Sequence, residues 1–348
     1  IFRLTILALP SPKMMAIYLI NRGVKVMMEL DNKDQIDAVI TWVDGSTDSH
    51  RIKRQFYIER SDRHLHENGL NPHRWACNAE ILYCLRSIEN NAPWIRKIWI
   101  LVDSITPDLS SLSDILKKKI NFSYHNEIYA GYEDMLPTFN SLAIESLLWR
   151  IQGLAEKFLY FNDDVFLTAP LSVGDVFVGK KPVLRGQWVD YSNLEHDLVQ
   201  QVNPAKFNHY MQINAARMMG FKCNRLFAAA HVVHPFLRSR MDQLFTDHPK
   251  EFLANISYRF RDLSQFLPQG LHNHASISNN QAVFHKNSDH LHIYSGQGNR
   301  RPATEVWALL CPIIETNNIK MLCINDLPQL ERVIPSIHAW LSEAIGGF

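Results

Sequence analysis

Short apolar runs alternate with segments of helical periodicity through the first half of the chain. The apolar runs are rich in β-branched and aromatic side chains, which is typical of buried strands. They lie at residues 36–45, 97–104, 120–128 and 158–167. Helical periodicity follows in two segments, around Ile81–Ile88 and at residues 140–152. Strands that alternate with helices predict an α/β fold built on a mostly parallel sheet.

The second half of the chain has a less regular pattern and is rich in His and Asn. It predicts helices and loops added to a sheet core. We therefore expect a sheet core at residues 36–170 and a helical, loop-rich half at 171–330. Residues 1–35 are expected to form a leader or packing segment, and residues 331–348 a C-terminal helix.

Composition and charge narrow the class of protein. The 348 residues carry Lys+Arg 36 against Asp+Glu 35, so the net charge of +1 provides no global field for nucleic acid, and no nucleic-acid partner is expected. The apolar runs are shorter than the roughly 20 residues of a membrane-spanning helix. The five cysteines show no CxxC spacing, which argues against a disulfide framework and predicts a reducing, cytoplasmic location. Peripheral association with the cytoplasmic face of a membrane is a further expectation.

Polar residues end several of the apolar runs. Trp42 and Asp44 end the first run, and Asp163 and Asp164 interrupt the fourth. Because the carboxyl ends of parallel strands meet at one edge of a sheet, these side chains are expected to gather there. Two adjacent carboxylates at the end of a buried strand are costly unless they are paired or bind a cation. They predict either a Mg²⁺ site that bridges to phosphates, or a turn with one Asp as cap and the other solvated.

The run KMLCINDL at residues 320–327 repeats this pattern, because it ends in Asn325 and Asp326. Both endings could converge on one cation. In the predicted helix at 140–152, Ser141 lies near the amino end, where backbone N–H groups favour an anion, and Glu145 lies one turn later. The alternative is a surface Glu paired with Arg150 or Lys157.

Two further pairs carry candidate chemistry. His231 and His234 have the spacing of one helical turn and suit a base with its helper or a zinc site, but no third ligand accompanies them. Structural histidines are the alternative. Arg259 and Arg261 alternate in SYRFRD and suit a guanidinium clamp for phosphate. A solvated basic face is the alternative for this pair.

Four segments resemble, in order, the four conserved blocks of the Stealth family. That family includes bacterial capsular polysaccharide phosphotransferases and the α/β subunit precursor of the animal lysosomal-enzyme N-acetylglucosamine-1-phosphotransferase. The matching strings include IDAVITWVDGSTD, FLYFNDDVFL, AAHVVHPFLRSRMDQL with RFRD, and KMLCIND, within residues 36–48, 78–167, 229–262 and 320–326. Ser264 and Gln265 replace acidic residues that often follow the third block, and CNAEILY replaces a more charged string. The blocks lack the inserted modules of animal members, which favours the bacterial capsule branch.

The resemblance implies a Rossmann-like or GT-A-like nucleotide-sugar-binding domain at residues 36–330. It implies transfer of a sugar 1-phosphate, expected to be N-acetylhexosamine 1-phosphate, from a UDP-sugar to a glycan hydroxyl with release of UMP. The biological setting it implies is capsular or surface polysaccharide synthesis. Catalytic or donor-binding roles are implied for Asp37, Trp42, Glu145, Asp164, His231, Arg261 and Asn325.

On this basis we expect Asp164 and Asn325, supported by Asp163, to hold Mg²⁺ or Mn²⁺ on the diphosphate. Arg261 is expected to brace the transferred phosphoryl group, and either His231 or Glu145 to act as the general base. The expected substrate-binding residues are Asp37, Trp42, Asp44, Asn140, Ser141, His234 and Arg259.

Two other functions remain open. A metal-dependent GT-A glycosyltransferase would use the same donor site and release UDP. A non-catalytic nucleotide-sugar-binding subunit would bind without turnover. The expected partners are the UDP-sugar donor, an oligosaccharide or polysaccharide acceptor, and capsule assembly or export proteins at the inner membrane.

Overall fold

A computed structural model describes residues 16–20, 23–27, 35–70, 75, 79–294 and 302–347. Its strands are β1 (Ala16–Ile20), β2 (Gly23–Met27), β3 (Ile36–Thr41), β4 (Ile98–Val102), β5 (Ile120–Tyr124), β6 (Lys157–Asn162), β7 (Val165–Leu167), β8 (Phe177–Val178), β9 (Lys181–Leu184), β10 (Gly186–Val189), β11 (Leu226–Ala229), β12 (His234–Leu237), β13 (Val283–Phe284), β14 (His290–Ile293) and β15 (Met321–Ile324). Its helices are α1 (Asp48–Glu59), α2 (Glu67–Leu70), α3 (Glu80–Asn91), α4 (Asp114–Lys117), α5 (His125–Ile128), α6 (Ser141–Glu145), α7 (Leu198–Gln201), α8 (Phe207–Met218), α9 (Arg238–Asp247), α10 (Pro249–Ser257), α11 (Pro268–Ser278), α12 (Ala303–Thr316), α13 (Leu327–Val333) and α14 (Ile337–Ala344).

The central sheet has the strand order β12-β6-β3-β4-β5. Strands β3, β4, β5 and β6 are mutually parallel, whereas β12 runs antiparallel to β6. These four parallel strands come from the four apolar runs. The predicted α/β class with a mostly parallel sheet is therefore confirmed.

The third predicted strand ends earlier than expected, at Tyr124. The carboxylate of Glu127 accepts from the backbone N–H of Tyr124 at 3.0 Å and from Ser123 Oγ at 2.8 Å. Helix α5 therefore begins at His125, because the Glu127 carboxylate caps the backbone N–H that precedes its first turn. The shorter strand places His125 at the carboxyl edge of the sheet.

Both faces of the central sheet are buried. Within β3, Ala38 and Ile40 pack into one core with α3 and the carboxyl-terminal helices. Val39 points to the opposite face and packs into a second core with residues of α9, α10 and α11. This alternation follows from the pleat of the strand, and burial on both faces explains the continuous apolar runs.

A second sheet, β14-β15-β7, lies next to the end of β6. Strands β6 and β7 are separated only by the turn at Asp163 and Asp164. Strand β15 is antiparallel to β7, and the backbone N–H of Ile324 donates to the carbonyl of Asp164 at 3.0 Å. This pairing brings Asn325 to the two aspartates although 161 residues separate it from Asp164.

The helix predicted at residues 140–152 is wrong in its length. Helix α6 stops at Glu145, and a single 3₁₀ turn follows at Leu148–Arg150. Ser146 Oγ donates to the carbonyl of Leu142 at 2.8 Å, and Asn255 Nδ2 donates to Ser146 Oγ at 2.8 Å. These side-chain bonds compete with the helical ladder, so the regular helix ends.

The second half combines helices and loops with short strands, as β8–β14 and α7–α12 lie within or beside it. The predicted leader at residues 1–35 falls largely outside the described residues, where only β1, β2 and residue 35 are placed. The chain ends with α13 and α14. No helix within the described ranges has the length and hydrophobicity required to cross a bilayer.

Candidate active site

The carboxyl edge of the central sheet collects polar and aromatic side chains from several strands. The residues that immediately follow β3, β4, β5 and β6 all lie at this edge because the four strands are parallel. Among them are Trp42, Asp44, Asp103, His125, Asp163 and Asp164. The predicted gathering of strand-end residues is therefore observed.

Three carboxylates crowd the turn between β6 and β7. Asp163 and Asp164 are half-buried, and Glu80 at the start of α3 is buried. Burial raises the pKa of Asp163, and the charges of Asp164 and Glu80 raise it further. Oxygen ligands whose negative charges repel one another match the preference of a hard divalent cation. The donor set at this turn therefore fits Mg²⁺ or Mn²⁺.

Asn325 connects this turn to a histidine. Its Nδ2 donates to Asp164 Oδ2 at 2.5 Å, and its Oδ1 accepts from His292 Nε2 at 2.5 Å. In this orientation the amide oxygen faces His292, so the amide holds Asp164 in place. For Asn325 to act as the predicted cation ligand beside Asp164, the amide must take the opposite orientation.

The two histidines of the third block do not lie on a helix, so the predicted one-turn relationship is wrong. His231 lies in a bend before β12, and His234 opens β12 opposite Tyr160 of β6. His231 is half-buried, and its ring lies 5.0 Å from the ring of His292. Burial and the proximity of His231 lower the pKa of His234 to about 3, so His234 stays neutral.

A second cluster forms around Arg261. Its Nη2 donates to Ser141 Oγ at 2.8 Å, and its Nη1 donates to Asn68 Oδ1 at 3.3 Å. Its Nε is buried and has no hydrogen-bond partner among the described residues. A guanidinium held on two sides with an unused donor suits an anionic ligand.

Glu145 belongs to the same cluster and is 4% exposed. Gln269 Nε2 donates to Glu145 Oε2 at 2.6 Å. Burial raises the pKa of Glu145, while the positive charge of Arg261 opposes this shift. The surface pairing with Arg150 does not occur, because Arg150 donates to the carbonyls of Ile128 and Ala130.

Tyr160 links the Arg261 cluster to the aspartate turn. Its hydroxyl lies 3.0 Å from Thr41 Oγ1 and accepts from Asn162 Nδ2 at 3.2 Å. The charge of Glu145 and a hydrogen bond to it contribute to raising the pKa of Tyr160, after burial. Arg261, Glu145 and the end of β6, which leads into the turn at Asp163, thus form one connected polar network.

Trp42 and Asp44 flank this network at the end of β3. Trp42 is 7% exposed and packs in the core, yet its indole Nε1 has no hydrogen-bond partner among the described residues. Asp44 accepts from the backbone N–H of Ser46 at 3.0 Å and from its Oγ at 2.5 Å. The loop geometry leaves Asp44 half-buried beside α1.

Three predicted substrate-binding residues make their hydrogen bonds outside this network. Asp37 lies at the amino end of β3, where Arg96, Trp99 and the backbone of Ala155 all donate to it. Asn140 caps α6 through a 3.2 Å bond to Leu142 N, and its Nδ2 donates to Tyr258 O and Gln265 Oε1.

Arg259 is the third of these residues. Its Nη2 donates to the carbonyls of Asp134 at 2.9 Å and Leu136 at 3.2 Å. Its guanidinium also lies 4.8 Å from the ring centroid of Tyr57. These contacts fasten one loop to another, but its Nε, like that of Arg261, is buried without a hydrogen-bond partner among the described residues, so the phosphate contact of Arg259 stays a prediction.

Sequence reasoning missed His292, Cys323, Tyr160 and Gln269 as parts of the site. His292 reaches it because β14 pairs in parallel with β15, with His292 opposite Cys323. The string HLHI of alternating residues signals a strand, but no local motif assigns its partner. Tyr160 was hidden inside an apolar run, where it reads as a core aromatic.

Comparisons with known proteins bear on the family. Residues 74–184 match the model of Stealth protein CR2, conserved region 2. The chain is 30% identical over 306 residues to the exopolysaccharide phosphotransferase SCO2594 of Streptomyces coelicolor, a match that covers 85% of this chain and 47% of that protein. It is 31% identical over 216 residues to the capsular polysaccharide phosphotransferase LcbA of Aeromonas hydrophila, covering 56% and 58% respectively.

The chain thus spans about half the length of these curated relatives. Among solved structures it is similar to the galactosyltransferase LgtC in complex with donor and acceptor sugar analogues, with 12% identity and a TM-score of 0.40. That similarity covers 83% of this chain and 86% of LgtC. On its second conserved region and its phosphotransferase relatives, the chain belongs to the Stealth family.

Proposed function

We propose that this chain transfers a sugar 1-phosphate from a UDP-sugar to a hydroxyl group of a glycan acceptor and releases UMP. N-acetylhexosamine 1-phosphate is the group we expect it to transfer, in the synthesis of a capsular or other surface polysaccharide. Relatives that carry the name phosphotransferase support the reaction type. The observation that carries the proposal is the contact of Asn325 with both Asp164 and His292, beside His231.

This contact joins segments that the sequence keeps far apart. Asp164 follows β6, His231 precedes β12, and Asn325 follows β15. Polar side chains from separate elements that meet at the carboxyl edge of a parallel sheet are typical of a ligand site in this fold class. A purely structural cluster has no need of three crowded carboxylates at its rim.

Phosphoryl-type transfer depends mainly on positioning and charge stabilisation. The acceptor hydroxyl attacks the phosphorus atom that carries the sugar, the bond to the UMP oxygen breaks, and the proton of the hydroxyl passes to a base. The C1–O bond of the sugar stays intact, so the anomeric configuration is retained.

His231 is the better general base of the two candidates. It is half-buried and therefore accessible to an acceptor, whereas Glu145 is 4% exposed and already accepts from Gln269. Glu145 instead provides the negative charge that keeps Arg261 in position. Arg261, with its unused Nε donor, braces the oxygens of the transferred phosphoryl group.

Asp163 and Asp164 would hold Mg²⁺ or Mn²⁺ on the diphosphate, with Glu80 nearby and Asn325 positioning Asp164. The cation would neutralise charge that develops on the diphosphate oxygens. Trp42, through its unpartnered indole N–H, and Asp44 would contact the nucleotide end of the donor, and Ser141 would support the Arg261 clamp. We further propose a cytoplasmic enzyme that works with capsule assembly or export proteins at the inner membrane.

Product analysis tests the proposal. The protein is incubated with UDP-N-acetylhexosamines, an oligosaccharide acceptor and Mg²⁺, and the products are separated by mass. UMP together with a phosphodiester-linked product is the expected result. His231→Ala should abolish UMP release, whereas His196→Ala, which changes an exposed histidine, should not.

Two other results of the product analysis would contradict the proposed reaction. UDP with a glycoside product would identify a glycosyltransferase, and saturable donor binding without either product would identify a binding subunit. An active His231→Ala variant would remove His231 from the mechanism and leave Glu145 as the base.

A further inference from the structure

Two histidines and a cysteine lie close together beside Asn325 and Asp164. One nitrogen each of His231 and His292 and the sulfur of Cys323 all lie within 4.8 Å of one another. The three residues come from the bend before β12, from β14 and from β15. In the sequence no third ligand accompanies His231 and His234, but the fold brings His292 and Cys323 to His231.

We propose that His231, His292 and Cys323 form a binding site for a soft divalent cation of the Zn²⁺ class, and that its occupation inhibits the transferase. The inhibitory part rests on the proposed function, because it assigns His231 to catalysis. The binding part stands on the geometry alone.

The positions of the three ligands are well determined by the fold. His292 and Cys323 lie opposite each other in the parallel pair β14 and β15, and Cys323 is completely buried. Tetrahedral Zn²⁺ with bonds of about 2.0–2.3 Å needs ligand atoms roughly 3.5 Å apart. The observed separations, all within 4.8 Å, are near this requirement.

Surrounding groups resemble the outer shell of a metal site. Asn325 Oδ1 accepts from His292 Nε2, which orients that ring, and Asn325 Nδ2 lies 3.6 Å from Cys323 Sγ. Asp164 interacts with the Cys323 thiol and offers an oxygen as a fourth ligand.

Binding must release a proton. A cysteine coordinates a metal as its thiolate, and an ordinary thiol carries its hydrogen at neutral pH. In the metal-free protein the sulfur therefore carries hydrogen. When the cation binds, the S–H bond breaks, a metal–sulfur bond forms, and one proton passes to the solvent.

This site differs from the proposed Mg²⁺ site in ligand type. Nitrogen and sulfur select Zn²⁺ and related ions, whereas the carboxylates of Asp163 and Asp164 select harder ions. The two sites share Asp164 and adjoin His231. A soft cation would thus compete for the metal-binding carboxylate and occupy the base at the same time.

The binding test uses Co²⁺ and Zn²⁺ alone, with the metal-free protein of residues 1–348. We expect Co²⁺ to produce a thiolate-to-metal charge-transfer band, Zn²⁺ to displace it, and about one proton to be released per ion bound. Cys323→Ser should abolish the band. Cys311→Ser, which changes a half-buried cysteine in α12, should retain it.

His292→Ala provides a second variant in case Cys323→Ser fails to fold. It should weaken Zn²⁺ binding at least about 10-fold while leaving Cys323 in place. A Co²⁺ spectrum without the thiolate band, or equal Zn²⁺ affinity in the wild type and His292→Ala, would overturn the proposal.

The inhibition test compares UMP release with and without Zn²⁺ in excess Mg²⁺. The wild type should lose activity as the site fills, and the ratio of the two rates in Cys323→Ser should be close to one. If no UMP forms under any condition, the proposed function fails while the Co²⁺ test still decides the site. If UMP forms but the band is absent, only this inference fails.

Discussion

Two groups of carboxylates lie at opposite ends of the same sheet and differ in how their charges are satisfied. Asp37, at the amino end of β3, is completely buried and accepts from Arg96 at 2.7 and 2.6 Å, from Trp99 at 3.0 Å and from Ala155 N at 2.9 Å. Asp163 and Asp164, at the carboxyl end of β6, face each other and Glu80. Four N–H groups donate to Asp37, whereas Asp163 and Asp164 lie beside like charge, with Asn325 donating to Asp164.

This difference separates stability from function. A buried carboxylate that four donors satisfy stabilises the fold and has no oxygen to offer a ligand. Carboxylates that repel one another destabilise the folded state unless a ligand compensates them, and such costs are typical of functional sites. A substitution of Asp37 should therefore lower the free energy of unfolding and spare the rate of UMP release. A substitution of Asp164 should lower that rate and spare the free energy of unfolding.

The largest effect is expected from Asp164→Asn. UMP release should fall about 10³-fold, because the variant loses one cation ligand charge and weakens its hold on Asn325. The free energy of unfolding should stay unchanged or increase, since repulsion with Asp163 and Glu80 is relieved. Rate assays and urea denaturation measure the two quantities on one preparation.

Asp242→Asn, which changes an exposed side chain on α9, is the matched control and should alter neither quantity. If Asp164→Asn destabilised the protein by several kcal/mol, the contrast between the two ends of the sheet would be lost.

Asp37→Asn should have the reverse profile. We expect the free energy of unfolding to drop by about 3 kcal/mol, because the amide turns a donor toward Arg96 or Trp99 and leaves buried donors unpaired. The rate of UMP release per folded molecule should stay close to the wild-type rate. Urea denaturation together with active-site titration measures both.

The control for Asp37→Asn is Asp114→Asn. The side chain of Asp114 is 91% exposed and its contact with Lys117 is 3.9 Å long, so its loss should cost less than about 0.5 kcal/mol. A folded but inactive Asp37→Asn protein would instead favour the donor-binding role that the family resemblance implies for Asp37.

The position of Asp37 illustrates how far the sequence could predict the site. Rules for parallel sheets place residues that end a strand at the ligand edge, and they correctly locate Trp42, Asp44, Asp163 and Asp164. Asp37 is the second residue of its strand, so the same rules place it at the other end. Asp37 lies in the segment that resembles the first Stealth block, but this resemblance does not predict at which end of the strand the residue lies.

Other parts of the site depend on long-range pairing, which local patterns do not encode. His292 joins the site only through its register with Cys323, and Gln269 meets Glu145 across 124 residues. The end of α6 depends on Asn255, which lies in α10. Apolar periodicity predicts which segments are buried, but the partner of each segment is decided by packing of the whole domain.

Arg261 extends the comparison to a buried cation. Arg261→Lys keeps the charge beside Glu145 but removes the fork that reaches Ser141 and Asn68 together. UMP release at saturating donor should fall about 10²-fold, with little change in stability. Arg225→Lys, at an exposed position over Trp188, is the control and should be fully active. An Arg261→Lys enzyme with the wild-type rate would show that charge alone suffices at this position.

The smallest effect is expected at His272, a buried histidine that stays neutral in the folded protein. Burial, followed by Arg240 and His234, lowers the pKa of His272 to about 3, and its Nε2 accepts from Leu237 N at 3.1 Å. Since the unfolded chain binds this proton near pH 6.5, the stability contributed by neutral His272 is present above that pH and is lost as the pH falls toward 3. Between pH 6.5 and 5, wild-type protein should lose about 1.5 kcal/mol more unfolding free energy than His272→Gln, which keeps an acceptor without titrating. Parallel urea denaturations across this range measure the difference, and those at pH 7–8 serve as the control, because His272 is neutral in both states there. Equal losses in the two proteins would mean that His272 is protonated in the fold and that its bond to Leu237 is already broken.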